Sequence, residues 1–407
     1  MIIVQKYGGT SVADAERIKN VARRIKKARA ECGKVVAVLS AQGDTTDDLK
    51  AKAFEISRNP SRRELDMLLA TGEQQSAALM AMALHDLGES AVSLNAAQFG
   101  LHSTSNYGSA RIKRIETERV NMELERGSIV LIAGFQGVNR YGDITTLGRG
   151  ASDTTAVALA AVLGADRCEI YTDVDGVYTA DPRLVPSARK IPRISYEEML
   201  ELSSLGAKVL HNRSVELANK YNVKLIVRSS MTEAEGTIVW EGAKMEKMLV
   251  SGIAVDDDVS RISIVGVKDE PGVAFKIFSC LAKEKISVDM ILQSIGRSKT
   301  NDISFTVACD DLSRAIETLK ENRDAISWDH IGSIDRIAKL SVIGAGMATN
   351  PGVASAVFEA LYDVDVNIHM ISTSEIRISV LIDVQDAKRA ANSIHEKFSS
   401  LNVEYAG

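Results

Sequence analysis

Apolar runs in the first part of the chain all end the same way. Residues 2–6, 35–39, 129–133 and 168–172 read as strands, and each stops at a cluster of glycine, hydroxyl or acidic residues. The clusters are Tyr7-Gly8-Gly9-Thr10-Ser11, Ser40-Ala41-Gln42-Gly43-Asp44-Thr45-Thr46, Gly134-Phe135-Gln136-Gly137 and Asp173-Val174-Asp175-Gly176. Helical patterns alternate with these runs, for instance over residues 47–57 and 61–87. Apolar strands alternating with helices require an α/β fold with a mainly parallel sheet sandwiched by helices. Ligands in such sheets sit at the carboxyl ends of the strands, where these clusters fall.

One further glycine loop runs straight into an apolar helix: Leu147-Gly148-Arg149-Gly150-Ala151-Ser152-Asp153-Thr154-Thr155-Ala156. Residues 139–146 before it read as a hairpin, and residues 156–163 supply the helix's buried face. Ser152 and Asp153 are good N-cap residues. Amides at a helix start suit an anion such as a phosphate. Walker, GxGxxG and HExxH patterns are missing, so a phosphate site would be assembled from several loops. Lys6, beside Gly-Gly-Thr-Ser at the next helix start, adds a cation to a second glycine-rich nest.

The character changes across residues 240–258, where a polar stretch is followed by Asp256-Asp257-Asp258; the domain boundary is placed here. Beyond it lies an internal repeat of about 80 residues. Residues 262–267 match 340–345, Pro271-Gly272-Val273-Ala274 matches Pro351-Gly352-Val353-Ala354, and 288–290 matches 368–370. Each unit has a Pro-Gly turn before a helix with a stripe: Ala274, Ile277, Phe278 and Leu281 in one, Ala354, Val357, Phe358 and Leu361 in the other. Strands at 303–307 and 376–382 complete a βαββαβ, ferredoxin-like order in each.

At 407 residues the chain holds two or three domains. A net charge of −5 disfavours nucleic acid. The basic run Arg23, Arg24, Lys26, Lys27 and Arg29 is the solvated face of a helix whose stripe is Ile18, Val21, Ala22 and Ile25. Cys32, Cys168, Cys280 and Cys309 show no metal spacing and read as reduced thiols. Without a signal peptide or membrane-length apolar run, a cytoplasmic protein off the membrane is expected, and Asn212-Arg213-Ser214 carries no glycan.

Six ordered motifs resemble aspartokinase: residues 6–11, 39–43, Gly72-Glu73, 147–153, 173–183 and 206–211. The C-terminal repeat resembles the tandem ACT regulatory domains of that family. The resemblance covers essentially the whole chain. It implies an amino-acid kinase domain over residues 1–245 and ACT domains over 260–335 and 338–407. The implied reaction is phosphorylation of the L-aspartate side-chain carboxylate by ATP with Mg²⁺.

Residue by residue, the resemblance makes Lys6 the catalytic lysine, with Gly8, Gly9 and Thr10 facing phosphate. Ser40, Thr45, Glu73, Arg149 and Ser152 become substrate residues, Glu73 holding the amino group and Arg149 the α-carboxylate. Asp153 orients the lysine and helps organise Mg²⁺, and no side chain is assigned as a direct metal ligand. Thr172, Asp173, Tyr178, Asp181, Arg183 and Lys208 fall on the nucleotide side. Lysine or threonine is the expected effector. It would meet Asp269, Gly272, Met290, Ile291 and Gln293 in the first repeat and Val353, Asn367, Ile368, Ser374 and Glu375 in the second. The implied assembly is a homodimer, or a heterotetramer with a separately translated C-terminal half starting near Met245 or Met248. Two positions depart from the family: Gln42, where many members have methionine, and Ala151, usually glycine. A methyl group at 151 restricts positive φ. The alternatives are another amino-acid or acetylglutamate kinase, and a catalytically dead amino-acid sensor.

Overall fold

The computed structural model describes residues 1–148, 150–205, 209–241, 250–295, 300–344, 347, 350 and 352–404. These fall into two compact units. The first comprises Met1–Tyr178, Lys190–Ser204 and Lys208–Met245; the second comprises Thr179–Arg189, Leu205–Ala207 and Glu246–Gly407.

The first unit opens with β1 (Ile2–Tyr7), α1 (Ala15–Cys32), β2 (Lys34–Leu39) and α2 (Thr45–Ile56). Helices α3 (Arg62–Leu69) and α4 (Thr71–Asp86) follow, where the sequence reads as one helix. The break falls at Ala70, whose carbonyl accepts from Gln136 Nε2 at 3.1 Å. Then come β3 (Ala91–Leu94), β4 (Leu101–Ser103), β5 (Ile112–Ile115), α5 (Glu118–Glu125) and β6 (Ile129–Ala133). The hairpin expected over residues 139–146 starts earlier: β7 (Gln136–Val138), read in the sequence as part of a strand-end loop, pairs with β8 (Ile144–Thr146). After α6 (Ala151–Val162) the unit continues with β9 (Arg167–Thr172), β10 (Arg193–Ile194), α7 (Tyr196–Ser204), α8 (Asn212–Tyr221), β11 (Leu225–Ser229) and β12 (Thr237–Val239).

Its main sheet has eight strands in the order β10-β12-β11-β9-β1-β2-β6-β3. Every neighbouring pair is parallel except β11 with β12. Ile3, Tyr7, Val35, Ala37, Leu39, Ile129 and Leu131 pack under α1 and α4. Helix α6 is buried on nearly every side, from Ala151 to Ala160. A helix apolar all round belongs inside a domain, not on one face of it. A smaller sheet, β5-β4-β7-β8, carries the chain into the glycine loop.

The second unit contains β13 (Gly252–Lys268), α9 (Val273–Lys283), β14 (Ile291–Ile295), β15 (Thr300–Ala308), α10 (Leu312–Glu321), β16 (His330–Ile343), α11 (Val353–Tyr362), β17 (Met370–Thr373), β18 (Arg377–Ile382) and α12 (Ala387–Glu404). One antiparallel sheet, β14-β15-β13-β16-β18-β17, spans both repeats. Strand β13 is irregular between Asp256 and Arg261. Its later part serves the first repeat, which is complete as βαββαβ. Its early part, Gly252–Asp256, pairs with Lys339–Ile343 and supplies the fourth strand of the second repeat, which is otherwise βαββα. The expected start of the first ACT domain at residue 260 therefore falls inside a strand. Ile253 shows why: it is buried in the second repeat's core with Leu340, Val342, Val357 and Leu361.

The expected helix stripes hold in part: Ile277 and Leu281 in one and Val357 and Leu361 in the other are buried, and Phe278 and Phe358 pack half-buried against the same cores. Val273, Ile277, Cys280 and Leu281 are buried in α9, and Val353, Val357, Ala360 and Leu361 in α11; Ala274 and Ala354 face outward. Both helices start after a glycine with positive φ, Gly272 at 94° and Gly352 at 103°, so the preceding turn sets the phase of each stripe.

Candidate active site

The ends of β1, β2 and β6 bring most of the expected residues of the first unit together. Side chains alternate along β1: Ile3, Gln5 and Tyr7 are buried beneath α1, and Lys6 lies on the other face, toward α6. There its Nζ is 2.7 Å from Oδ1 of Asp153, both side chains being nearly buried. The contact is an ion pair rather than an aligned hydrogen bond. Gly8 donates to the Tyr171 carbonyl at 3.2 Å, tying the first glycine nest to β9. Gly9 lies so close to the Ala41 carbonyl that a Cβ would come within 2.7 Å of it. Gly43 donates back to Gly9 at 3.1 Å. The two nests thus hold each other.

Helix α4 adds Glu73 at its first turn. Its Oε1 accepts from the Ala41 amide at 3.1 Å, and its Oε2 is buried with no hydrogen-bond partner. Burial pushes this carboxyl up to about 7, against the amide bonds that lower it. Gly72 seats the helix start on Ala41, with the Thr45 methyl beside it. Ser40, half-buried at the end of β2, donates its amide to the Tyr7 carbonyl at 3.1 Å.

The glycine loop differs from the sequence reading at its cap. Gly150 is the N-cap, in the left-handed region at φ 64°, and α6 begins at Ala151. Ser152 and Asp153 are first-turn residues, both buried, and neither caps the helix. Asp153 is drawn to Lys6, and Ser152 packs so tightly on Gly134 that a Cβ there would lie 2.8 Å from its hydroxyl. A Cβ on Gly150 would also fall 2.2 Å from the His211 ring, so shape and φ both require glycine. Ala151 is helical and buried, and the positive φ falls one residue earlier, at Gly150, so the methyl at 151 meets no left-handed backbone. Arg149 and Lys208 lie outside the described residues, as do Met245 and Met248.

On the other side of β1, Thr172 ends β9 with its hydroxyl on Asp173 at 2.9 Å. Tyr178 donates to Asp175 at 2.8 Å, and Lys190 Nζ lies 3.4 Å from the same carboxylate. Asp175 was read only as one of a strand-end cluster, and Lys190 and Ser230 went unnoticed in the sequence; Ser230 accepts from Ser11 Oγ at 2.8 Å and joins the segments that follow β11 and β1. Thr10 is exposed. Asp181 and Arg183 pair with each other at 2.7 Å, in a segment that belongs to the second unit.

Among the described residues no cluster of three or more His, Cys, Asp or Glu side chains could hold a metal ion. Mg²⁺ bound with nucleotide phosphates needs only one or two carboxylates. Asp153, whose buried Oδ1 has no aligned donor, and the exposed Asp173 fit that requirement.

In the second unit, Asp269, Gly272 and Gln293 line a cavity of about 200 Å³ together with Lys268, Asn301 and Ile303. Asn301 Nδ2 donates to Asp269 at 2.8 Å. Met290 is buried instead against Val259, Ile337, Met370 and Leu381, and Ile291 is exposed on the edge strand. In the second repeat Val353 is packed in the core, Ile368 is half-buried, and Asn367, Ser374 and Glu375 are exposed. Most of the turn before α11 lies outside the described residues.

The model of the amino acid kinase family matches residues 1–229, and the ACT domain model matches 262–322 and 340–398. The aspartokinase of Geobacillus stearothermophilus is 50% identical over 398 residues, covering 98% of this chain and 97% of that one. The chain belongs to the aspartokinase family. It is accordingly a kinase, with the amino-acid kinase fold followed by ACT domains. Among solved aspartokinases, E. coli aspartokinase III in complex with aspartate and ADP, in its R-state, is 25% identical. It aligns over 98% of this chain and 99% of its own with a TM-score of 0.80. The same enzyme in complex with lysine and aspartate, in its T-state, aligns over the same shares at 25% identity and a TM-score of 0.77. Among the described residues no helix is long and apolar enough to cross a membrane.

Proposed function

We propose that this chain transfers the γ-phosphoryl group of ATP to the side-chain carboxylate of L-aspartate, giving 4-phospho-L-aspartate and ADP. In the cell this would open the route to lysine, threonine, methionine and diaminopimelate. The observation that carries the reading is the partnerless, buried Oε2 of Glu73 at the edge of an otherwise anion-binding site. A substrate ammonium supplies the missing partner and the missing charge. Arg149, on the glycine loop, is the proposed partner of the α-carboxylate, with Ser40, Thr45 and Ser152 around the substrate. The acceptor carboxylate is ionised at neutral pH, so no strong base is needed. Its oxygen attacks phosphorus as the bond to the β-phosphate oxygen breaks, and the electron pair leaves with ADP. Lys6 meets the charge on the transferring group, held in place by Asp153, and the helix start at Ala151 adds its dipole. Bound Mg²⁺ would neutralise phosphate charge. Gly8, Gly9, Thr10, Thr172, Asp173, Tyr178, Asp181, Arg183 and Lys208 are assigned to the nucleotide.

Purified enzyme with ATP, Mg²⁺, aspartate and hydroxylamine should form aspartyl hydroxamate. No trapped acyl phosphate from aspartate would sink the reading. N-acetylglutamate brings no positive charge to Glu73, so it should be a far poorer substrate. The Lys6–Asp153 pair speaks against a dead sensor.

The aspartokinase III complex with lysine supports an amino-acid effector for this chain too, lysine or threonine, with the Asp269–Gly272–Gln293 cavity as its seat. Asp269→Ala should raise the concentration needed for half-inhibition by about 10-fold or more, the loss of one charged contact, with uninhibited kcat unchanged. Unchanged inhibition would move the effector elsewhere. Assembly as a homodimer or a heterotetramer belongs to the same reading, and the mass of the native particle decides between them.

A further inference from the structure

We propose that Asp66 is a positioning residue that sets where the end of β8, and with it the entry to the glycine loop, lies relative to Glu73. The inference rests on the function proposed above. Asp66 is on α3 and only 1% exposed. Its carboxylate accepts from the Thr146 amide at 2.7 Å, the Thr146 hydroxyl at 2.8 Å and the Gly108 amide at 2.9 Å. Burying a carboxylate is costly, and an apolar contact would hold α3 to β8 for less. What an apolar side chain cannot do is accept three hydrogen bonds at once and so dictate where two backbone segments lie.

Those segments lead into the glycine loop. Thr146 ends β8, and Leu147-Gly148 follows directly. Residues 108–110 run alongside, with the Ala110 amide on the Thr146 carbonyl at 2.9 Å. Arg213 completes the clamp, donating to the Ala110 carbonyl at 3.2 Å and the Leu147 carbonyl at 3.1 Å. An acid thus holds amides of the pair and a base holds its carbonyls. At the other end, the Asp66 carbonyl accepts from the Ala70 amide at 3.1 Å, and the Ala70 carbonyl is pinned by Gln136. Glu73 follows within the first turn of α4. One short stretch therefore connects the proposed ammonium ligand to the loop proposed to take the α-carboxylate. Fixing such a distance is worth rate and selectivity, because a misplacement of about 1 Å costs on the order of 100-fold.

The test compares wild type, Asp66→Asn, Thr146→Val and Thr146→Ser in steady-state kinetics, with 3-aminopropanoate (aspartate without its α-carboxylate) as a competitive inhibitor. Asp66→Asn should raise KM for aspartate by about 30-fold while kcat and KM for ATP stay within about threefold. Its preference for aspartate over 3-aminopropanoate should shrink by about 10-fold, since the carboxylate grip is already displaced. Thr146→Val should move both readouts the same way by about fivefold, with Thr146→Ser near wild type because the hydroxyl is kept. The Thr146 pair decides the matter if Asp66→Asn does not fold. Parallel rises in KM for aspartate and ATP, or an unchanged preference in Thr146→Val, would overturn the proposal and leave Asp66 a purely structural group. No turnover of aspartate by wild type retires the functional reading itself, a separate result read in the same experiment.

Discussion

Lys6→Met is expected to lower kcat by at least about 100-fold, the scale of losing one electrostatic catalytic group. The substitution keeps an unbranched apolar stem, one atom shorter, and removes the charge beside Asp153. It also leaves that carboxylate buried and unpaired, which costs about 3–5 kcal/mol of stability if it stays ionised. The two effects separate in a double-mutant cycle. Lys6→Met combined with Asp153→Asn should recover most of the lost thermal stability and none of the lost rate. Lys6→Arg keeps the charge but broadens it into a fork that the pocket under α6 was not built for, so it too should remain slow. Turnover near wild type in Lys6→Met, in protein shown to be folded by circular dichroism, would remove Lys6 from the reaction.

Glu73→Gln should raise KM for aspartate by about 10–100-fold, the worth of a charge-assisted hydrogen bond, with kcat less affected. Its pH dependence is the sharper test. In wild type the Glu73 carboxyl is pushed up to about 7 by burial. Aspartate's ammonium requires the ionised form, so KM should climb as pH falls below about 7 and flatten above it. The same group makes the free enzyme's stability pH-dependent in the opposite sense from a paired acid. Its folded value lies above its unfolded one, so the folded state holds a proton that the unfolded chain releases between about pH 4.5 and 7. The contribution is present at low pH and is lost as pH rises through that window, up to about 3 kcal/mol. Glu73→Gln should abolish both slopes. A KM for aspartate that is flat from pH 6 to 8 in wild type would contradict the assignment.

Legibility in the sequence followed the length of the pattern. The strands of five or six residues ending in glycine clusters, the long helices and the repeat were all readable, because each has enough positions to show a period. Strands β4, β5 and β7 have three or four residues each, too few for alternation to stand out from chance, and β8 was readable only through the turn before it. At the site, Lys6 was legible from its place beside a glycine nest and Glu73 and Asp153 through the resemblance to aspartokinase; the structure adds their partners. Asp66 was not legible: an acid within a helix pattern reads as solvent-facing, and only the approach of residues 108 and 146 shows what it holds.

By itself, then, the sequence determined the central strands of the first sheet, where each of them turns, and which turns hold the glycines that let backbones meet. Those are local matters of φ, side-chain period and capping. Tertiary structure alone decided the non-local ones. Residues 252–256 complete the second repeat because an apolar Ile253 finds its core across the sheet, against Val342 of the strand it pairs with. Residues 179–189 join the second unit because Ala180 and Val185 bury there, although their neighbours on both sides do not. Ser152 and Asp153 have the chemistry of helix caps, but close packing against Gly134 and the charge of Lys6 claimed them first.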